Sequence, residues 1–149
     1  MRALILLAPL ALLQAVAQTP EASPSDTLRL KLSLEYCVNQ FSPAEVESTR
    51  VGFQYWFVGK EFLDGRTIKM SVVRPHEATH PPHVHGEDEF FFVLEGEAEL
   101  ILGEERVTVG PYTSFYCPPS VSHGIRNVGE SELKYLVIKK YPSPPADSQ

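Results

Sequence analysis

His83 and His85 stand two residues apart and run directly into Gly86-Glu87-Asp88-Glu89, and a further histidine, His123, follows in a later segment. On a β-strand, side chains two apart point to the same face and sit roughly 6–7 Å from each other, so both imidazoles can reach into one space. Imidazole nitrogen binds the borderline divalent metals manganese, iron, nickel, zinc and copper, and an added carboxylate biases the set toward the harder of these. Glu87, Asp88 and Glu89 each offer that carboxylate, and Gly86 breaks a strict count of alternating faces. His76, Glu77 and His80 lie just before the cluster, where they could serve as an acid or base at the rim of a site. Tyr116, Arg126, Trp56 and Tyr135 fall in strand-like segments and could face a pocket, with core packing the expected work of Trp56 and Tyr135.

The elements that must hold these groups are short strands. Val51 to Val58 is aromatic and β-favouring, and Asp64-Gly65 reads as a turn into a strand from Thr67 to Val73. After the histidines come strands over 89–94, 97–102, 106–109, 113–117, 122–127 and 132–139. Glu95-Gly96, Gly103-Glu104-Glu105, Pro118-Pro119-Ser120 and Val128-Gly129-Glu130 punctuate them. Earlier in the chain, Leu28, Leu30, Leu32 and Leu34 alternate with Arg29, Lys31 and Ser33, the period of a strand with one buried face. Only Ser42-Pro43-Ala44-Glu45-Val46-Glu47 reads as a helix start, with Ser42 as cap and Glu45 completing a capping box. Many short strands joined by polar turns predict an all-β sandwich or barrel with one short helix.

The run His83-Val-His85-Gly-Glu-Asp-Glu89-Phe-Phe-Phe-Val-Leu-Glu-Gly96 resembles the first motif of the cupin superfamily. It has two histidines, a glutamate four positions on and a glycine seven further. Pro118-Pro-Ser120-Val-Ser-His123-Gly-Ile-Arg-Asn127 resembles the second, with proline, histidine and asparagine at the family's spacing. Motifs and link together cover residues 77–127. The resemblance implies a double-stranded β-helix barrel, jelly-roll-like, in which His83, His85, Glu89 and His123 ligate one divalent transition metal. Glu77, Tyr112 and Ser120 stand where the family's motifs usually carry glycine, departures that bear on turn conformation and touch no ligand. Three imidazoles and one carboxylate leave a coordination position open, as catalysis requires. The expected occupant is a small molecule with adjacent oxygens, such as a sugar or sugar acid. The implied chemistry is isomerisation, lyase action or dioxygenation, with a non-catalytic metal-containing or carbohydrate-binding module as the alternative. Relatives of this size commonly pair through strands, so a homodimer is expected by analogy, with the strand from Leu28 to Leu34 as the contact.

The chain has 149 residues, which suits one folded domain, with a net charge of −6 and no basic patch of the kind a nucleic-acid partner requires. Arg2 precedes an apolar run from Ala3 to Leu13 that is too short to span a bilayer, and Ala15-Val16-Ala17 supplies small residues for cleavage. Residues 1–17 are therefore expected to be a signal peptide and the protein exported, periplasmic or extracellular, with no membrane insertion after cleavage. Residues 18–26 read as a flexible leader, 27–141 as the barrel domain, and 142–149 as a Pro-rich disordered tail. Cys37 and Cys117, the two cysteines, could pair in an oxidising compartment or remain as small hydrophobic groups.

Overall fold

The computed structural model describes residues 33–62 and 65–142. The expected signal peptide, the leader, most of the strand expected over 28–34 and nearly all of the Pro-rich tail lie outside the described residues. The chain divides into two compact units, Met1–Val38 and Asn39–Gln149. In the described part of the first, Ser33 and Leu34 are not in a strand. Ser33 caps a single helical turn, α1 (Leu34–Cys37), its hydroxyl accepting a hydrogen bond from the Tyr36 N–H at 3.2 Å. A capping hydroxyl beside non-branched helix formers outweighs the alternation of leucines here.

The second unit is built almost wholly of strands: β1 (Glu47–Thr49), β2 (Gly52–Val58), β3 (Arg66–Val73), β4 (Glu89–Glu95), β5 (Ala98–Leu102), β6 (Glu105–Val109), β7 (Ser114–Cys117), β8 (His123–Asn127) and β9 (Leu133–Lys140). Where a helix is predicted, the chain makes only a 3-10 turn over Pro43–Glu45, and Ser42 forms no side-chain cap. The reason is tertiary. The Tyr55 hydroxyl donates to the Gln40 carbonyl at 2.9 Å with Glu45 Oε2 beside it at 3.4 Å, and Glu47 enters β1, its carboxylate held by Gln54 Nε2 at 2.6 Å. A capping box needs the same Glu45 to turn back on the Ser42 N–H, so contact with β2 wins over local propensity.

All pairing is antiparallel, in a six-stranded sheet ordered β1-β2-β3-β9-β4-β7 and a three-stranded sheet ordered β6-β5-β8. One apolar core fills the space between them. It takes Val73, Phe91, Val93, Leu133 and Tyr135 from the larger sheet and Ala98, Leu100 and Ile125 from the smaller. The two sheets around one core meet the expectation of a double-stranded β-helix. Gly96 makes the β4–β5 turn at φ +87°, where an added Cβ would lie 2.6 Å from the Glu132 carbonyl oxygen, so only glycine fits. Asn127, fully buried, ties the end of β8 down. Its Nδ2 donates to the Val73 and Ser131 carbonyls at 3.0 and 2.7 Å, and its Oδ1 accepts from the Gly129 N–H at 2.9 Å. Among the described residues no helix is long and apolar enough to cross a membrane.

Because strand side chains alternate, register fixes what each face carries. On the inner face of the large sheet, Thr67, Lys139, Glu89 and Cys117 lie side by side across β3, β9, β4 and β7. A second inner row runs Trp56, Lys69, Val137, Phe91 and Phe115. The outer face of the same strands carries Ile68, Ile138, Phe90 and Tyr116 in one row.

Candidate metal centre

His83 precedes β4, in an extended segment that pairs with the first residue of β8. Two reciprocal backbone hydrogen bonds of 3.0 Å between His83 and His123 make this bridge. The Ser120 N–H donates to the His85 carbonyl at 2.8 Å, so both ends of the β7–β8 turn are fastened to the histidine segment. The chains approach closely at Gly124, where a Cβ would stand 3.2 Å from Pro82 Cα. Backbone pairing thus brings three imidazoles from two distant segments together, and one ring nitrogen of each of His83, His85 and His123 lies within 4.8 Å of the others.

Their hydrogen bonds determine which nitrogens can face a metal. His85 Nδ1 lies 2.7 Å from the Glu87 carbonyl oxygen and His123 Nδ1 lies 2.8 Å from that of Val121. A carbonyl only accepts, so each Nδ1 carries a proton, and Nε2 is the nitrogen each ring can offer to a metal. Those two Nε2 atoms face each other at 3.1 Å, and Glu89 Oε2 lies 3.0 Å from that of His85. Two ring nitrogens and a carboxylate converge here, a donor set that a cation would hold together. An imidazole fixed through Nδ1–H to a backbone carbonyl is also the usual way a metal-binding histidine is oriented. His83 adds a third sign, since its Nδ1 is buried and has no hydrogen-bond partner among the described residues. Burial first, and then the neighbouring His80, His123 and His85, push the His83 pKa down and favour the neutral, ligating form. The donor set therefore fits a divalent transition metal.

Glu89 is the carboxylate the structure brings to the histidines. It is 6 % exposed, touches His85 and faces Lys139 Nζ at 3.6 Å. Glu87 lies 3.6 Å from both His85 Nδ1 and Lys139 Nζ, and Asp88 is exposed. The close three-nitrogen group does not include Glu89, which adjoins it through His85.

A cavity of about 290 Å³ opens on His83 and Glu89, with Lys69, Lys139, Tyr135 and His80 in its walls. The His80 ring packs edge-on against His83, with centroids 4.4 Å apart. Burial raises the Tyr135 pKa above that of an ordinary phenol, so its hydroxyl keeps its proton; Thr79 Oγ1 lies 3.5 Å away. Of the other predicted rim groups, His76 is exposed and 3.2 Å from Glu130, and Glu77 lies 3.6 Å from Arg50. Tyr116 packs on Phe90 on the outer face, and none of these three lines the cavity. Arg126 is exposed on β8, and Trp56 lies beneath the Lys69 ammonium, 5.1 Å from ring centre to Nζ. Sequence reasoning passed over Lys69 and Lys139. Their signal was parity, since Lys69 shares its face with the buried Ser71 and Val73, and Lys139 with Tyr135 and Val137.

Residues 69–139 match the Cupin domain family. Among curated proteins, the H2HPP isomerase of Bacillus subtilis is 31% identical over 74 residues, which are 49% of this chain and 31% of that protein. Mannose-1-phosphate guanylyltransferase RfbM of Salmonella typhimurium is 30% identical over 81 residues, 54% of this chain and 16% of that protein. The chain thus spans less than a third of the length of either relative. Among solved structures, a predicted oxalate decarboxylase from Thermotoga maritima superposes with a TM-score of 0.62 at 21% identity, covering 69% of this chain and 97% of its own. A cupin 2 conserved barrel domain protein from Salinispora arenicola gives 0.58 at 17% identity, covering 70% and 87%. The polyketide cyclase RemF from Streptomyces resistomycificus gives 0.59 at 21%, covering 72% and 82%. At these identities the likeness establishes the barrel fold.

Proposed function

We propose that this chain, whose residues 69–139 match the Cupin domain family, is a metal-dependent enzyme acting on a small oxygen-rich molecule. Sugars and sugar acids are the substrates in view, and isomerisation, lyase chemistry or dioxygenation the reactions. The observation that carries this reading is the pair of Nε2 atoms of His85 and His123 at 3.1 Å, beside the Nδ1 of His83, buried and without a partner among the described residues. His83, His85, His123 and Glu89 would hold the ion. When bound, it would supply Lewis acidity toward a carbonyl or hydroxyl oxygen.

The surrounding side chains support turnover over mere retention of a ligand. His80 stands in the cavity wall with a titratable ring, placed to take or give a proton at the edge of the site. Tyr135 presents a protonated hydroxyl from the floor, able to donate to a substrate oxygen. Lys139 bridges Glu87 and Glu89 and fixes the Glu89 carboxylate in direction. Phe91 and Val137 add an apolar side to the cavity.

Export and self-association belong to the same proposal. The apolar run from Ala3 to Leu13 supports a removable signal peptide, and the outer apolar row supports pairing of two copies. Metal analysis of the protein purified from its native compartment, followed by an oxygen-uptake and sugar-panel screen, tests the enzymatic reading. Metal-dependent turnover of one panel member is expected. A protein loaded with metal that binds a sugar and never converts it would support the binding-module alternative.

A further inference from the structure

The inner face of a cupin barrel is a costly place for an ammonium group without a counter-ion, and Lys69 is one. It lies on β3 among side chains that point inward, and its row continues into Val137 and Phe91. Among the described residues its Nζ makes no ion pair and no hydrogen bond; its contact is the face of Trp56 at 5.1 Å. Lys139, the other cation of the cavity, is committed to Glu87 and Glu89 at 3.6 Å each. Glu89 and Glu47 act on Lys69 through space, yet Glu89 is engaged by His85 and Lys139, and Glu47 by Gln54 and Trp56. Burial is the largest influence on Lys69 and lowers its pKa, with Glu89 and Glu47 acting in the opposite direction.

We infer that Lys69 is a specificity-determining residue that binds a carboxylate of the substrate, so that the site takes small organic acids in preference to neutral sugars. This rests on the metal-site reading above and narrows its substrate class. The cavity of about 290 Å³ lies just below the roughly 300–1,000 Å³ range of small-molecule pockets, which limits the occupant to a compact molecule. Lys69 and His83 both line it, so such a molecule can present oxygen to the metal-ligating side while a carboxylate meets the ammonium. Thr49, Gln54 and Thr79 add neutral hydrogen-bonding groups to the same wall, suited to hydroxyl or carbonyl oxygens between the two ends. A half-buried cation that gains an anion recovers a charge-assisted hydrogen bond, which a neutral sugar does not supply.

Trp56, the single tryptophan of the chain, is a built-in reporter because its ring touches the Lys69 ammonium. The test titrates the full-length protein, incubated with zinc, with malonate and in parallel with glucose. It follows Trp56 emission and measures zinc per chain in the same samples. Saturable binding of malonate is expected, weakened by about tenfold or more in Lys69→Met and retained within about threefold in Lys69→Arg. Zinc content should be equal in all three proteins. Wild-type affinity for malonate in Lys69→Met at full zinc content, or saturation by glucose and not by malonate, overturns the inference and leaves the metal reading intact. Absence of zinc in the wild-type protein overturns the metal reading. If malonate binding in that metal-free protein still falls in Lys69→Met, the assignment of Lys69 stands.

Discussion

The two faces of the six-stranded sheet carry different residues at the same positions along the chain. Glu89, Phe91, Val137 and Lys139 point inward, while Phe90 and Ile138, one residue over, point outward. The outward row borders a cavity of about 370 Å³ lined by Val58, Phe62, Ile68, Phe90 and Ile138 together with Arg66, Asp88, Lys139 and Lys140, larger and more apolar than the one on the histidines. Size and apolarity alone would therefore put a site on the wrong face. What distinguishes the inner cavity is the chemistry in its wall: the His83 imidazole beside the buried Glu89 carboxylate.

The comparison breaks most easily at the histidines. In His83→Ala and His123→Ala, metal content measured by elemental analysis should fall from near-stoichiometric to a few per cent. Unchanged metal in both would remove the inner face's claim to chemistry. Next in size is the contrast between neighbours on β4. Phe91 is 2 % exposed and Phe90 44 %. Phe91→Ala should cost about 3–5 kcal/mol in urea unfolding and Phe90→Ala under about 1 kcal/mol, since only the first leaves a core cavity. Similar losses for both would mean that the outer row is covered in solution.

Smaller effects sharpen the same contrast. Cys117, an inner-row residue and a buried free thiol, has its pKa pushed up to about 12 by burial and then by Glu89. It should resist alkylation at pH 8 until the protein unfolds. The unfolded thiol, with an ordinary pKa of 9.0, ionises first as pH rises, so this contribution to stability is whole below pH 9 and is lost as pH climbs toward 12. A Cys117→Ala variant should lose less stability than wild type across that window, followed by denaturant midpoints. Least in size are the turns. Tyr112 and Ser120 hold φ of +62°, and Tyr112 is 82 % exposed. Tyr112→Gly and Ser120→Gly should each raise stability by about 1 kcal/mol by removing left-handed strain, with metal content unchanged.

Those last positions show what the chain made legible. Tyr112 and Ser120 stand where the family's motifs have glycine, and both keep a glycine-like backbone. Glu77 does not, and the left-handed residue there is its neighbour His76, at φ 60°. From β2 to β9 the strand ends were readable within a residue or two, because alternation and turn residues are local signals. The helix expected at Ser42 was not formed, because Glu45 and Glu47 are claimed by β2, and a tertiary contact of that kind leaves no local mark. The histidines were readable as a cluster, but only the bridge between His83 and His123 shows that their rings converge. Lys69 and Lys139 share a face with buried neighbours on their own strands, but Met70 and Val72 on the opposite face of β3 are buried as well, so alternation alone does not say which face looks toward the histidines.

The claim at the centre of this account is that His85 and His123 offer Nε2 to one cation while Nδ1 keeps its proton on a backbone carbonyl. Proton–nitrogen correlation NMR of the imidazole rings during titration with zinc measures this directly. The account predicts that a single equivalent shifts Nε2 of both rings from the metal-free to the metal-bound range, with Nδ1 protonated throughout. Rings that stay unchanged past one equivalent, or that lose the Nδ1 proton, would contradict it.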